Sequence, residues 1–105
     1  MLINSKIVNK GWTLKPFELL SVKGGNVNDK MLFKKNGLVI AFICNHCPYV
    51  KDIINRLVID FQELNRIDIG TVAVMPNDTE SYPEDSYENM IKFAKENSFS
   101  FHYLF

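Results

Sequence analysis

Cysteines at positions 44 and 47, a histidine at 46 and a proline at 48 concentrate chemically able residues in the stretch FICNHCPYVK (42–51). Three chemistries use such a set. A Cys-x-x-Cys pair can cycle between dithiol and disulfide, two thiols with an imidazole can make half of a zinc site, and one activated thiol with a neighbour can act as a nucleophile. A zinc site needs a second pair of ligands, and His102 is the only other strong candidate in a chain whose two cysteines both lie here. No metal or other cofactor is therefore expected.

Proline discriminates among the arrangements. It suits the first turn of a helix and disrupts the interior, where it removes a hydrogen bond and clashes one turn back. A helix that begins at Pro48 makes Cys47 its N-cap, whereas one that begins at Cys44 puts Pro48 where its missing N–H matters. The first arrangement has no penalty. Cys47 then meets the unpaired N–H groups and the positive end of the helix dipole, which favour a thiolate and lower its pKa. Cys44 falls in the strand-to-helix turn without that help, and there it is either an inert buried thiol or a resolving partner. His46 either adds local positive charge and a proton or stands on the surface.

The flanking segments must position these residues. GLVIAFI (37–43) is continuously apolar and rich in β-formers, as in a strand covered on both faces. From Pro48 to Arg66, the residues Val50, Ile53, Ile54, Leu57, Val58, Phe61 and Leu64 recur at helical spacing and make one apolar stripe. GTVAVM (70–75) is a second apolar strand. Strand, helix and strand predict a βαβ unit with parallel strands, its chemistry at the strands' C-terminal edge. Upstream, KPFELLSVKGGNVNDKMLF reads as a hairpin around Gly-Gly-Asn. Downstream, a polar loop leads to a helix from about Pro83 to Asn97, with Glu84, Asp85 and Glu88 at its N-terminal end, and FSFHYLF closes the chain as a short strand or extended tail.

At 105 residues the chain is one domain, and 47% apolar with 23% charged residues is ordinary for a globular protein. Twelve basic and twelve acidic residues cancel, which gives no electrostatic footprint for nucleic acid or an anionic membrane. MLINSKIVNKGW lacks the continuous apolar core of a secretory signal, and no stretch reaches membrane-spanning length. A cytoplasmic location is the default, where two cysteines read as catalytic, metal-bound or buried thiols and not as a disulfide scaffold.

LVIAFICNHCPYVK resembles the active-site strand and helix of the thioredoxin-like superfamily, and within it the peroxiredoxin-like branch of the alkyl hydroperoxide reductase and thiol-specific antioxidant (redoxin) group. That branch has a very similar FICNHCP followed by Phe or Tyr and Val-Lys, and the similarity extends to NDTESYPEDSYENMIKFA and to FHYLF. It covers most of residues 14–105. The resemblance implies that Cys47 holds the place of thioredoxin's attacking cysteine. Thioredoxin's second cysteine would fall at Val50, so Cys44–Cys47 is a different pair with the same spacing. A peroxiredoxin has Thr or Ser where Cys44 stands, and an arginine from a later strand, whereas Arg56 and Arg66 both fall on the first helix.

The resemblance thus implies a thiol-dependent redox protein, a thiol-disulfide oxidoreductase or a peroxiredoxin-like antioxidant. Cys47 would attack a disulfide or peroxide, Cys44 or an external thiol reductant would resolve it, and His46 would assist. The alternative is a thioredoxin-like binding or scaffold module without turnover, favoured by the absence of a cysteine at Val50. The expected fold is α/β, a thioredoxin-like βαβ core with an N-terminal hairpin, lacking the usual cis-proline loop, C-terminal hairpin and helix. Pro76 comes too early for the cis-proline role. An uncovered sheet edge is expected to be met by homodimerisation or by the rest of a longer chain.

Overall fold

The computed structural model describes Gly11 and residues 13–105. Apart from Gly11, the segment read above for a secretory signal lies outside the described residues. Strands β1 (Glu18–Leu20) and β2 (Asn26–Asn28) form the expected antiparallel hairpin, with Leu19 opposite Val27. Its turn needs left-handed backbone at Gly24 and Gly25, with φ of 95° and 76°, which glycine adopts without a Cβ clash. A four-residue helix α1 (Asp29–Leu32) follows, unanticipated from the sequence. Asn28 starts it, its side chain accepting the Met31 N–H at 2.9 Å.

Next comes the βαβ unit, with β3 (Leu38–Phe42), α2 (Pro48–Arg66) and β4 (Gly70–Val74) within a residue of the sequence reading. β3 and β4 are parallel, in register from Leu38 opposite Gly70 to Phe42 opposite Val74. The closing aromatic segment is a strand, β5 (His102–Leu104), parallel to β4, so the sheet order is β3-β4-β5. The hairpin attaches to the free side of β5: the Val22 N–H donates to the Tyr103 carbonyl at 3.0 Å and the Phe105 N–H to the Leu20 carbonyl at 2.8 Å.

Alternation along the strands divides the core. One face packs Ile43, Ala73, Met75 and Tyr103 against Val50, Ile54, Val58 and Phe61 of α2 and against Met90, Phe93 and Ala94. The other packs Val72 and Leu104 against Val27 and Leu32, so the hairpin and α1 form the second layer. Gly70 marks the closest approach of this layer, since a Cβ there would run into the backbone carbonyl oxygen of Leu32.

Three expectations need correction. β3 is not covered on both faces: Phe42 is 68% exposed and Val39 is also exposed, because α2 lies chiefly over β4 and, among the described residues, β3 pairs only with β4 at the sheet margin. The α2 stripe is narrower than its spacing suggests, with Ile53 turned to solvent and Leu57 and Leu64 half-buried. The second helix does not run unbroken from Pro83. Pro83–Asp85 form a single 3-10 turn, and α3 (Tyr87–Glu96) starts after Ser86, whose extended backbone breaks the run and whose hydroxyl accepts the Asn89 N–H at 3.3 Å. Among the described residues no helix is long and apolar enough to cross a membrane.

Ile54 is 4% exposed and its neighbour Ile53 is 53% exposed. Ile54→Ala should therefore cost about 2–5 kcal/mol of unfolding free energy, and Ile53→Ala under about 1 kcal/mol. Urea denaturation of the two variants checks this, and equal losses would mean that the α2 stripe is misplaced.

Candidate functional site

Cys47 occupies the N-cap of α2, with extended backbone (φ −67°, ψ 122°), and Pro48 takes the first helical turn. The helix is 19 residues long, its Lys51 N–H closes on the Cys47 carbonyl at 3.1 Å, and its first turn holds no acidic residue to neutralise the dipole. Ile43 N–H still donates to Val74 in the sheet at 3.0 Å, so residues 44–46 make the whole turn from strand to helix. Both cysteines are free and half-buried.

The turn sets the two thiols near enough for Cys47 to influence Cys44. Burial pushes the Cys44 thiol up. The Cys47 backbone N–H partly opposes this by donating to the Cys44 sulfur, while the Asp85 carboxylate and the Cys47 thiol add to it. Cys44 is thus held as a neutral thiol near pH 7.

Beneath the turn lies Asp85, fully buried at 0% exposure in the 3-10 turn before α3. Its Oδ1 accepts the Asn45 backbone N–H at 2.7 Å and its Oδ2 accepts Asn77 Nδ2 at 2.8 Å. His46 Nδ1 stands 2.9 Å from the same Oδ2, yet that nitrogen meets hydrogen-bond geometry with no partner; the contact is an electrostatic one. Burial works against the carboxylate, but the Asn77 and Asn45 donors and the nearby His46 ring together outweigh it and hold Asp85 below the ordinary carboxylate range. The imidazole stacks on the Tyr82 ring, with centroids 5.5 Å apart and planes 13° apart, which fixes its orientation.

Asn45 completes the clamp. Its Nδ2 donates to the Glu84 carbonyl at 3.1 Å, and its Oδ1 accepts the Tyr103 hydroxyl at 3.0 Å. Burial, then Asp85 and Cys44, push the Tyr103 phenol far up, so it stays a donor. An open cleft between α2 and α3 adjoins His46, lined also by Lys51, Glu84 and Lys92.

Of the sequence candidates, Cys44, His46 and Cys47 come together at the C-terminal edge of β3, whereas His102 does not join them. It sits at the start of β5 with Nδ1 2.7 Å from Ser21 Oγ, its pKa lowered by burial and by Lys23. Both arginines lie on exposed α2 positions, Arg56 facing Asp60 and Arg66 facing Glu63. Sequence reasoning missed Asp85 as a site residue by assigning it to a helix N-terminus with Glu84 and Glu88. The available signal was Ser86, a better N-cap than anything around Pro83, which leaves Asp85 outside the helix.

No family model and no curated protein matches the chain. Solved structures do. An uncharacterised conserved protein from Geobacillus kaustophilus is 42% identical over 86% of this chain and 48% of its own, with a TM-score of 0.82. A hypothetical protein from Sinorhizobium meliloti is 25% identical over 94% and 54%, with a TM-score of 0.87. The peroxidoxin BcpB from Mycobacterium tuberculosis is 17% identical over 90% and 56%, with a TM-score of 0.70. Structures of thioredoxin-family and thiol:disulfide interchange proteins match at 14% and 17% identity. The chain spans about half the length of the first two proteins, 48% and 54%.

The depressed Asp85 pKa has a sign that can be tested. A carboxyl more acidic in the folded chain contributes stability that is full above its unfolded pKa of about 3.9 and disappears as pH falls through the native value. Asp85→Asn would turn an amide NH2 toward one of the two donors, the Asn45 N–H or Asn77 Nδ2, and should cost about 1–3 kcal/mol at pH 7. Urea midpoints of both proteins from pH 7 to pH 3 should converge in acid, and a constant gap would contradict the depressed pKa.

Proposed function

Taking as premise that this chain has a thioredoxin-like fold, we propose that it is a thiol-dependent redox domain of the peroxiredoxin-like, redoxin type in which Cys47 is the attacking thiolate. The observation that carries this reading is the pairing of unequal thiols. Cys47 caps a long helix without a competing acidic side chain, while burial and Asp85 keep Cys44 protonated beside it.

Against a disulfide, the Cys47 sulfur bonds to one substrate sulfur and the other leaves as a thiolate, which takes a proton. Cys44 or an external thiol then attacks the mixed disulfide and releases the second substrate thiol. Against a peroxide, Cys47 takes the terminal oxygen to become a sulfenic acid, the leaving alkoxide takes a proton, and a thiol condenses with the sulfenic acid to give a disulfide and water. His46 borders the open cleft and is the side chain we assign to carry a proton to either leaving group. Disulfides are the better-supported substrate. The hydroxyl-bearing residue of a peroxiredoxin site has no counterpart three residues before Cys47, where Cys44 stands. A reducing, cytoplasmic setting would supply the external thiol.

A second reading, a binding module without turnover, is favoured by one observation. Val50, where thioredoxin has its second cysteine, is buried in the core against α2's neighbours. Substoichiometric alkylation of the native, reduced chain separates the two. Label should concentrate on Cys47, and Cys47→Ser should abolish insulin reduction and peroxide consumption. Cys44→Ser should keep the first step and slow only resolution. Preferential labelling of Cys44, or two unreactive thiols, would favour the module.

A further inference from the structure

We infer that Cys44, His46 and Asp85 form a binding site for one thiophilic divalent metal ion of the zinc type, built from the turn before α2 and the 3-10 turn before α3. One donor atom from each of the three residues lies within 4.8 Å of the other two. Around tetrahedral zinc, with bonds of about 2.0–2.3 Å, such donors stand about 3.3–3.6 Å apart. The 2.9 Å between His46 Nδ1 and Asp85 Oδ2 is slightly under this spacing. Seating an ion asks the imidazole to draw back slightly and Cys44 to move inward by on the order of an ångström at most.

Two observations beyond proximity favour an ion. His46 Nδ1 is buried with no hydrogen-bond partner, although it points into a site whose other face is a carboxylate. A buried ring nitrogen left this way is costly, and a metal bond satisfies it. Asp85 is meanwhile held as a metal-ligating carboxylate usually is. Asn45 N–H fixes Oδ1 and Asn77 Nδ2 fixes one side of Oδ2, leaving a lone pair of Oδ2 toward His46. Tyr82 stacked on the imidazole sets the ring plane.

Charge and donor type narrow the ion. A Cys44 thiolate and the Asp85 carboxylate balance two positive charges at a place where Asp85 is fully buried and Cys44 and His46 are partly so. Sulfur and imidazole donors suit zinc-like ions and disfavour calcium and magnesium, which take oxygen. Binding forms three bonds from protein to metal and releases one proton, from the Cys44 thiol, to solvent. Cys47 lies outside the three-residue cluster, so the fourth position belongs to solvent. The site stands independently of the redox reading, since it is tested by binding and not by turnover.

The test is a titration of the reduced chain with Zn2+ against a chromophoric chelator, repeated with Co2+ to read the thiolate-to-cobalt charge-transfer band. One equivalent should bind. Cys44→Ser, His46→Gln and Asp85→Asn should each weaken binding by at least about tenfold, and Cys44→Ser should remove the charge-transfer band. Cys47→Ser should change the affinity by less than about threefold, which separates this site from a simple Cys-x-x-Cys chelate. Circular dichroism identifies any variant that fails to fold, and His46→Gln, at a partly exposed position, keeps the test decisive if Asp85→Asn does. Absence of a one-to-one complex, or a complex that survives Cys44→Ser or His46→Gln, or one lost in Cys47→Ser, would each overturn the assignment.

Discussion

A carboxylate taken fully out of water constrains the rest of this molecule. Asp85 has no exposed surface, and a buried charge is tolerable only where donors replace the lost water. Those donors come from two other segments: the Asn45 backbone in the strand-to-helix turn and the Asn77 side chain after β4. His46 Nδ1 stands 2.9 Å from the carboxylate on the remaining side. One side chain therefore ties three loops together at the same end of the sheet. Asn45 continues the connection through its own side chain to Glu84 and to the buried Tyr103 of β5.

The chemistry of the two thiols follows from that anchor. Asn45 and His46 are the residues between Cys44 and Cys47, so holding them fixes the path of the turn and the relative placement of both sulfurs. Asp85 faces Cys44 and, with burial, resists a second negative charge there. Cys47 is displaced from the anchor onto the helix terminus. Two identical side chains three residues apart thus meet different fields, as the proposed division between a nucleophile and its partner requires.

Behind the site, the two-layer core fixes the helix that bears Cys47. Val50, Ile54, Val58 and Phe61 seat α2 on β4, while the hairpin and α1 close the opposite face over Val72 and Leu104. The close approach of Leu32 to Gly70 sets how tightly that second layer sits. β3 receives least cover, and its exposed Phe42 lies two residues from Cys44, so the apolar surface beside the thiols is part of the site's surroundings.

Local chemistry along the chain was enough for the elements nearest the thiols. Proline at 48 determined where α2 begins and hence that Cys47 is its N-cap, because a ring without an N–H fits only the first turn. Continuous apolar runs determined the parallel pair, and helical spacing determined α2 to within a residue at each end. What tertiary structure alone decided was which polar residues would be buried. Glu84, Asp85 and Glu88 read alike as acidic residues near a helix start. The break at Ser86 rotates Asp85 inward to the Cys44 turn, forty residues away from Asn45 in sequence, and leaves Glu84 and Glu88 outside. Likewise His46 reads as a site residue and His102 only as the other ligand a zinc site would need. Only the sheet register, which sets His102 opposite Val72 at the start of β5 and away from the C-terminal edge, separates it from the site and leaves His46 in it. Periodicity reports which face of an element is apolar; it does not report which charge on a loop that face will bring inside.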